Sequence, residues 1–223
     1  MVDVDLRPER RAAVVDDLTN ALLRAAPGSD VQLRGSLATG GADQFSDIDL
    51  AWIVPADRFA AAVASVQSVV AGVSPVRSLR SDPDFRRSGD RRVLFIQLAN
   101  LRLFWRVDLD VHASSATGSE SMASVQVPVL ATEWSLAASA AANAVAAVKA
   151  LMRGRPAEAR GLLERGFVRV GEAFDAAESW EEAVTRLASV AAAVDPQVTA
   201  FAQDVAELAA TLLGAGGADD PPG

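Results

Sequence analysis

The chain has 223 residues, half of them hydrophobic, which is enough for one large domain or two small ones with a substantial core. It contains no cysteine, which excludes disulfides, thiolate metal ligands and cysteine nucleophiles and favours a cytoplasmic location. The formal net charge of -8 argues against a duplex nucleic acid partner. The most apolar stretch, residues 136–148, has only 13 residues and is too short to span a membrane.

The first half of the sequence predicts a small mixed sheet with helices. Residues 7–26 alternate apolar and charged residues at helical spacing and are followed by Pro27-Gly28, which ends the predicted helix. Residues 74–92 are rich in Arg, Ser, Pro and Asp and predict a loop. Short runs of apolar and β-branched residues predict strands over residues 31–33, 48–54, 92–98 and 101–112, and a second helix is predicted over residues 59–71.

The second half predicts helices alone. Residues 113–128 shift to Ser, Ala, Gly and Thr, and we place a domain boundary there. The predicted domains are residues 1–113, an all-α helical bundle over residues 114–213 and a disordered tail over residues 214–223. Four helices are predicted in the bundle. The first two cover residues 133–153 and 156–177, and the third begins at the capping box of Ser179 and Glu182. The fourth runs from Asp195-Pro196 to about Gly214.

Charge is distributed unevenly between the two halves. Residues 1–113 hold 14 Arg against 15 Asp and Glu, a net of -1. Residues 114–223 hold 7 Lys and Arg against 14 Asp and Glu, a net of -7. The acidic half is either an ordinary solvated surface or a groove that attracts a cationic substrate.

One candidate segment joins a glycine-containing turn to the start of a strand. Gly35-Ser36 directly follows the strand predicted at residues 31–33. A glycine there allows backbone N–H groups to approach phosphate oxygens, and Ser36 adds a hydroxyl donor. After ten intervening residues, Asp47 and Asp49 stand two apart at the head of a strand, so both carboxylates lie on one face.

A later strand repeats this spacing with Asp108 and Asp110. Like charges so close together are unfavourable unless a cation lies between them. Carboxylate oxygens suit Mg²⁺ or Mn²⁺ rather than Zn²⁺. The two segments therefore predict a site for hard divalent cations beside a phosphate-binding turn.

Together these segments resemble the nucleotidyltransferase superfamily of DNA polymerase beta. The shared pattern is Gly-Ser, about ten residues, Asp-x-Asp and a third Asp downstream, and the resemblance covers roughly residues 30–112. The helical half looks, more loosely, like that of small antibiotic nucleotidyltransferases of the aminoglycoside and lincosamide type. The resemblance implies an α+β fold with a catalytic first domain and a helical bundle that binds the acceptor substrate.

Two-metal phosphoryl transfer, with ATP as donor and pyrophosphate as leaving group, is the mechanism that the resemblance implies. Asp47 and Asp49 would bridge two Mg²⁺ ions, and Asp108 would hold the ion on the side of the nucleophile. Asp110 fits the pattern of the third ligand nearly as well, and it could instead act as the general base.

Nucleotide contacts are predicted for Gly35, Ser36 and Lys149. Lys149 is the only lysine and lies in an Ala-rich helix, from which it could reach a triphosphate across an interdomain cleft or extend its ammonium to water along apolar surface. His112 shares a strand face with the later carboxylates, where it either assists the site or makes a hydrogen bond at the strand end. Residues 77–92 hold six Arg against three Asp, and one of these arginines could clamp a phosphate.

We expect an enzyme that transfers AMP from ATP to a hydroxyl of a small molecule, with an aminoglycoside-like antibiotic as a candidate acceptor. A nucleotidyltransferase of the toxin–antitoxin type, which modifies a protein or an RNA, is the first alternative. A catalytically silent regulatory module of the same fold is the second. No membrane partner is expected, and the sequence does not indicate an oligomeric state.

Overall fold

The computed structural model describes residues 7–114 and 134–214. These residues form two compact units, residues 7–114 with Trp134 and residues 135–214. The domain boundary expected after residue 113 borders residues that are not described and stays a prediction. Apart from Gly214, the tail expected at residues 214–223 lies outside the described residues.

The first unit is a mixed five-stranded sheet with helices. The strand order is β1-β2-β5-β4-β3, in which β2 and β5 are parallel and every other neighbouring pair is antiparallel. The elements are α1 (Pro8–Ala25), β1 (Asp30–Leu33), α2 (Gly35–Thr39), β2 (Ile48–Val54), α3 (Phe59–Ala71), β3 (Val76–Ser81), β4 (Arg91–Leu98) and β5 (Val107–Ala113). The predicted mixed α+β character of this part is therefore confirmed.

Strict alternation along β5 separates the core from the polar face of the sheet. Val107, Leu109 and Val111 are almost completely buried, whereas Asp108 and Asp110 between them are half-buried. Helices α1 and α3 pack on the sheet and supply further apolar side chains to this core. Because successive side chains of a strand point to opposite faces, the carboxylates lie together on the face away from the apolar core.

Two sequence predictions in this unit are wrong. Residues 74–92 are not one loop, because β3 lies within them and pairs with β4. β3 is an edge strand, where charged side chains are common, and its arginines therefore resembled a loop in the sequence. Residues 101–106 are not strand, since their apolar side chains Leu103, Phe104 and Trp105 are buried in turns that precede β5.

The second unit contains α4 (Leu136–Met152), α5 (Pro156–Arg169), α6 (Trp180–Val194) and α7 (Thr199–Leu212). The predicted capping box is confirmed, because Ser179 and the side chain of Glu182 satisfy each other's backbone N–H groups. The helix expected over residues 156–177 ends earlier, at Arg169, and Gly171 follows in the left-handed conformation with φ 76°. Within the described residues of both units, no helix combines the length and apolarity needed to cross a bilayer.

Two glycines of α5 differ in what surrounds them. A Cβ added at Gly166 would lie 2.5 Å from Cδ2 of Leu187 on α6, so the glycine allows the two helices to approach closely. A Cβ added at Gly161 would meet only the flexible end of Arg165, at an ordinary contact distance of 3.6 Å.

We expect Gly166→Ala to lower the free energy of unfolding by about 1 to 3 kcal/mol, because overpacking outweighs the gain in helix propensity. Gly161→Ala, the control in the same helix, should raise it by up to about 1 kcal/mol. Urea denaturation of both variants measures the difference. Equal stabilisation by both substitutions would contradict the tight contact at Gly166.

Candidate functional site

The parallel pairing of β2 and β5 brings two of the predicted carboxylates side by side. Asp49 is the register partner of Asp108, so the two side chains share a face of the sheet on strands about 4.8 Å apart. Asp47 lies two residues before Asp49, just ahead of β2, and is also half-buried. Asp47, Asp49 and Asp108 therefore form one group, which we call the carboxylate cluster.

Gly35 makes room for the carboxylate of Asp49. It begins α2 with φ 54°, in the left-handed region that favours glycine. A Cβ at this position would overlap Oδ2 of Asp49. The glycine is thus required twice, for its backbone conformation and for the space it leaves beside the carboxylate cluster.

A positive charge already lies within the carboxylate cluster. Arg106 donates hydrogen bonds from Nε to Oδ1 of Asp108 (2.5 Å) and from Nη2 to Oδ2 (2.6 Å), and its Nη2 is 3.9 Å from Oδ2 of Asp47. Burial acts to lower the pKa of Arg106, but the hydrogen bonds with Asp108 and the charges of Asp108, Asp47 and Asp49 outweigh it and raise that pKa. Arg106 therefore stays charged and offsets the repulsion among the carboxylates.

The second carboxylate of β5 has different neighbours. Asp110 pairs in register with Ala51, so it faces no other acid on β2. It accepts hydrogen bonds from Arg91 Nε (3.0 Å) and Nη2 (2.8 Å), and its Oδ2 lies 2.9 Å from Nε2 of His112. The hydrogen bond to Asp110 raises the pKa of Arg91. The contact between His112 and Asp110 is compatible with both roles expected for His112, because Asp110 is itself a candidate site residue.

Helix α1 holds the loop that carries Asp47. Arg11 is buried and donates from Nη1 to the backbone oxygens of Asp43 (2.6 Å) and Ser46 (3.0 Å). Trp105, also buried, donates from Nε1 to the backbone oxygen of Gln44 (2.8 Å). Burial lowers the pKa of Arg11, although the nearby acids act in the opposite direction. The loop is therefore fixed from two sides immediately before Asp47.

The remaining predicted residues lie in several places. Ser36 is half-buried in α2, next to Gly35. Lys149 is buried in α4 of the helical unit, and its contact with a triphosphate stays a prediction. Among the arginines of residues 77–92, Arg80 lies over the rings of Phe95 and Trp134, at 5.9 and 5.4 Å from their centroids.

Sequence reasoning missed the roles of Arg11, Arg91 and Arg106. A signal existed for Arg106, because a residue two positions before Asp108 in an extended chain lies on the same face. No local signal existed for Arg11, whose partners are 32 and 35 residues away along the chain.

The carboxylate cluster has the donor chemistry of a site for a hard divalent cation. Its donors are carboxylate oxygens, which Mg²⁺ and Mn²⁺ prefer. Within residues 7–114 and 134–214, however, no three acidic or histidine side chains are arranged to hold an ion in this conformation. In the same conformation the fork of Arg106 contacts both oxygens of Asp108.

The helical unit has an acidic depression of about 750 Å³, lined in part by Asp175, Glu178, Glu181 and Glu182. Two of these acids already have strong partners. Glu178 accepts a hydrogen bond from Arg186 at 2.7 Å, and Glu182 belongs to the capping box, which lowers its pKa. Arg186 also lines the depression and offsets one of these four negative charges, and the depression alone does not indicate a ligand.

No protein-family profile matches this chain, and no characterised protein matches it in sequence. Among solved structures, the structure of the GLD-2/RNP-8 complex is similar over 82% of this chain, at 16% identity and a TM-score of 0.36. The match covers 55% of that chain, so this protein spans about half the length of its structural neighbour. A TM-score of 0.36 is too low for this similarity to indicate the fold or the function of this chain.

We expect Gly35→Ala to abolish binding of divalent ions by displacing the Asp49 carboxylate. Gly40→Ala is the matched control, because Gly40 also has a positive φ, of 73°, but has open space where a Cβ would lie. Both variants should lose roughly 1 to 2 kcal/mol of stability from the left-handed conformation. Titration with Mn²⁺ should separate them, and equal affinities would contradict the role assigned to Gly35.

Removal of the Arg11 guanidinium should loosen the loop before Asp47. We expect Arg11→Met to lower the free energy of unfolding by about 2 kcal/mol or more, because two backbone oxygens lose a charged donor. Arg10→Met, at an exposed position next to it, should change stability by less than about 0.5 kcal/mol. Limited proteolysis should cut Arg11→Met within residues 41–47. A cleavage pattern identical to that of the wild type would contradict the role of Arg11 in holding this loop.

Proposed function

We propose that this chain is a metal-dependent nucleotidyltransferase that moves a nucleoside monophosphate from a nucleoside triphosphate to an acceptor hydroxyl. The observation that carries the proposal is the register of Asp49 with Asp108, with Gly35 against the Asp49 carboxylate. This arrangement places a glycine turn next to a paired set of acids. A triphosphate with bound divalent cations requires both kinds of group.

In this proposal Asp47, Asp49 and Asp108 hold the divalent ions, Mg²⁺ or Mn²⁺. The bound ions would neutralise triphosphate charge and lower the pKa of the acceptor hydroxyl. Gly35 and Ser36 hold the phosphate chain with backbone N–H groups and a hydroxyl. Asp108 is the third ligand rather than Asp110, because only Asp108 lies opposite Asp49 in register.

Asp110 has a supporting role in this proposal. Its two oxygens accept from Arg91, and His112 lies within hydrogen-bonding distance of one of them. Because both oxygens are already engaged, an acceptor hydroxyl would have to displace one of these hydrogen bonds to reach Asp110. We therefore place Asp110 as a group that shapes the polar face of the sheet beside the metal ligands.

A cationic or polyhydroxylated small molecule is the proposed acceptor, and ATP is the proposed donor. The support is the net charge of -7 on residues 114–223, against -1 on residues 1–113. Such a surface attracts a polycation and repels RNA, and the attraction weakens with salt over a Debye length of about 10 Å at 0.1 M. Raising the salt concentration should therefore increase KM for the acceptor more than KM for ATP.

We expect Asp49→Asn and Asp108→Asn each to reduce transfer of labelled nucleotide at least about a hundredfold, because each loses a metal ligand. Both variants should stay folded, since the substitution removes charge without changing side-chain size. Asp57→Asn, at an exposed position of the same unit, is the control and should keep full activity.

The assay combines each labelled nucleoside triphosphate with Mg²⁺ and a panel of aminoglycosides, lincosamides and cell extract. Labelling of a cationic small molecule supports the proposal in full. Labelling of a protein or an RNA supports the toxin–antitoxin alternative for the acceptor. Absence of transfer from every nucleotide would contradict the enzyme assignment. Transfer by Asp49→Asn and Asp108→Asn at the wild-type rate would contradict it as well.

A further inference from the structure

Arg106 occupies the centre of the carboxylate cluster. It immediately precedes β5, and its two donors take both oxygens of Asp108 while its Nη2 is 3.9 Å from Oδ2 of Asp47. The ring of Phe95 lies beside the guanidinium, with 5.0 Å between Cζ of Arg106 and the ring centroid. The side chain is 31% exposed, so the guanidinium borders the solvent and has a route out of the cluster.

The pair between Arg106 and Asp108 competes directly with metal binding. The bidentate pair engages both carboxylate oxygens, so Asp108 has fewer lone pairs with which to ligate an ion while both hydrogen bonds are in place. A divalent ion beside the guanidinium would also be repelled by its charge. Movement of Arg106 away from Asp108 would relieve both the competition for carboxylate lone pairs and this repulsion.

A triphosphate provides a new partner for the displaced guanidinium. The planar fork of arginine matches phosphate oxygens as well as it matches a carboxylate. If metal and nucleotide enter together, Arg106 exchanges one anionic partner for another and no charge is left unpaired.

On the basis of the proposed function, we propose that Arg106 is the counter-ion of the carboxylate cluster in the nucleotide-free protein. Binding of a divalent ion then transfers its guanidinium from Asp108 to the triphosphate. Arg106 weakens the binding of metal alone and strengthens the binding of nucleotide once metal is present. Metal and nucleotide consequently bind with positive coupling, and that coupling passes through this one side chain.

The neighbouring pair of Arg91 and Asp110 offers a matched control. It has the same bidentate geometry on the same strand face, with Nε and Nη2 each donating to one carboxylate oxygen. Arg91→Gln and Arg106→Gln remove the same charge from the same region. Only Arg106→Gln releases a proposed metal ligand, so the difference between the two variants isolates the displacement from the general change in charge.

The experiment measures Mn²⁺ affinity of the full chain by calorimetry without nucleotide, for the wild type, Arg106→Gln, Arg106→Lys and Arg91→Gln. We expect Arg106→Gln to bind Mn²⁺ about tenfold more tightly than the wild type, as the loss of one competing charged pair implies. Arg91→Gln should bind Mn²⁺ less than about threefold more tightly than the wild type, since it changes only the electrostatic field at longer range. Arg106→Lys keeps the charge but cannot contact both oxygens of Asp108. Its Mn²⁺ affinity should lie between those of Arg91→Gln and Arg106→Gln.

A second titration uses α,β-methylene ATP at saturating Mn²⁺. Arg106→Gln should bind this analogue at least about tenfold more weakly than the wild type, because the fork that accepts the phosphate is gone. Arg91→Gln should keep wild-type affinity for the analogue. Tighter binding of Mn²⁺ together with weaker binding of the ATP analogue in the same variant cannot arise from a general loss of structure.

Equal Mn²⁺ affinity of Arg106→Gln and Arg91→Gln would overturn the displacement, even if the wild type transfers nucleotide. If Arg106→Gln does not fold, Arg106→Lys decides, and Mn²⁺ affinity no higher than that of the wild type overturns the proposal. Failure of every folded variant and of the wild type to bind Mn²⁺ would instead refute the proposed function, and this inference with it.

Discussion

Repulsion among the three acids of the carboxylate cluster is the constraint on which the polar face of this sheet depends. Asp49 and Asp108 are register partners on neighbouring strands, and the Arg106 side chain that binds Asp108 also lies near Asp47. Half-buried carboxylates at such spacing are stable together only with a cation among them. In this structure that cation is the guanidinium of Arg106, which contacts Asp108 directly and lies 3.9 Å from Asp47.

The surrounding structure holds the acids against this repulsion. Gly35 leaves space for the Asp49 carboxylate, and α1 fixes the loop before Asp47 through the buried Arg11. Trp105 fixes the same loop from the start of β5. Each contact is remote in sequence from the acid it positions, so the geometry of the cluster is a property of the whole unit.

Local patterns were sufficient to predict much of this unit. The bounds of β2 and α3 match the prediction because both are strongly apolar and end at Pro55 and Gly72. The spacing of Asp47 with Asp49, and of Asp108 with Asp110, predicted their shared faces through the two-residue repeat of a strand. β3 was missed because an edge strand carries polar residues on both faces and loses the alternation that identifies buried strands.

Contacts between distant segments could not be predicted in this way. The parallel pairing of β2 with β5 decides that Asp108, and not Asp110, lies opposite Asp49, and no local pattern encodes a register between strands about 60 residues apart. The partners of Arg11 are equally distant. The acceptor and the contact of Lys149 with a triphosphate stay predictions, because they depend on groups outside the sheet unit.

The location of a bound cation tests the central claim most directly. A crystal structure of the protein with Mn²⁺ and α,β-methylene ATP would show the ion by its anomalous scattering. We predict an anomalous peak bound by oxygens of both Asp49 and Asp108, with the guanidinium of Arg106 on a phosphate oxygen. A structure with the nucleotide bound elsewhere and the Arg106–Asp108 pair intact would contradict the assignment of this face as a catalytic metal site.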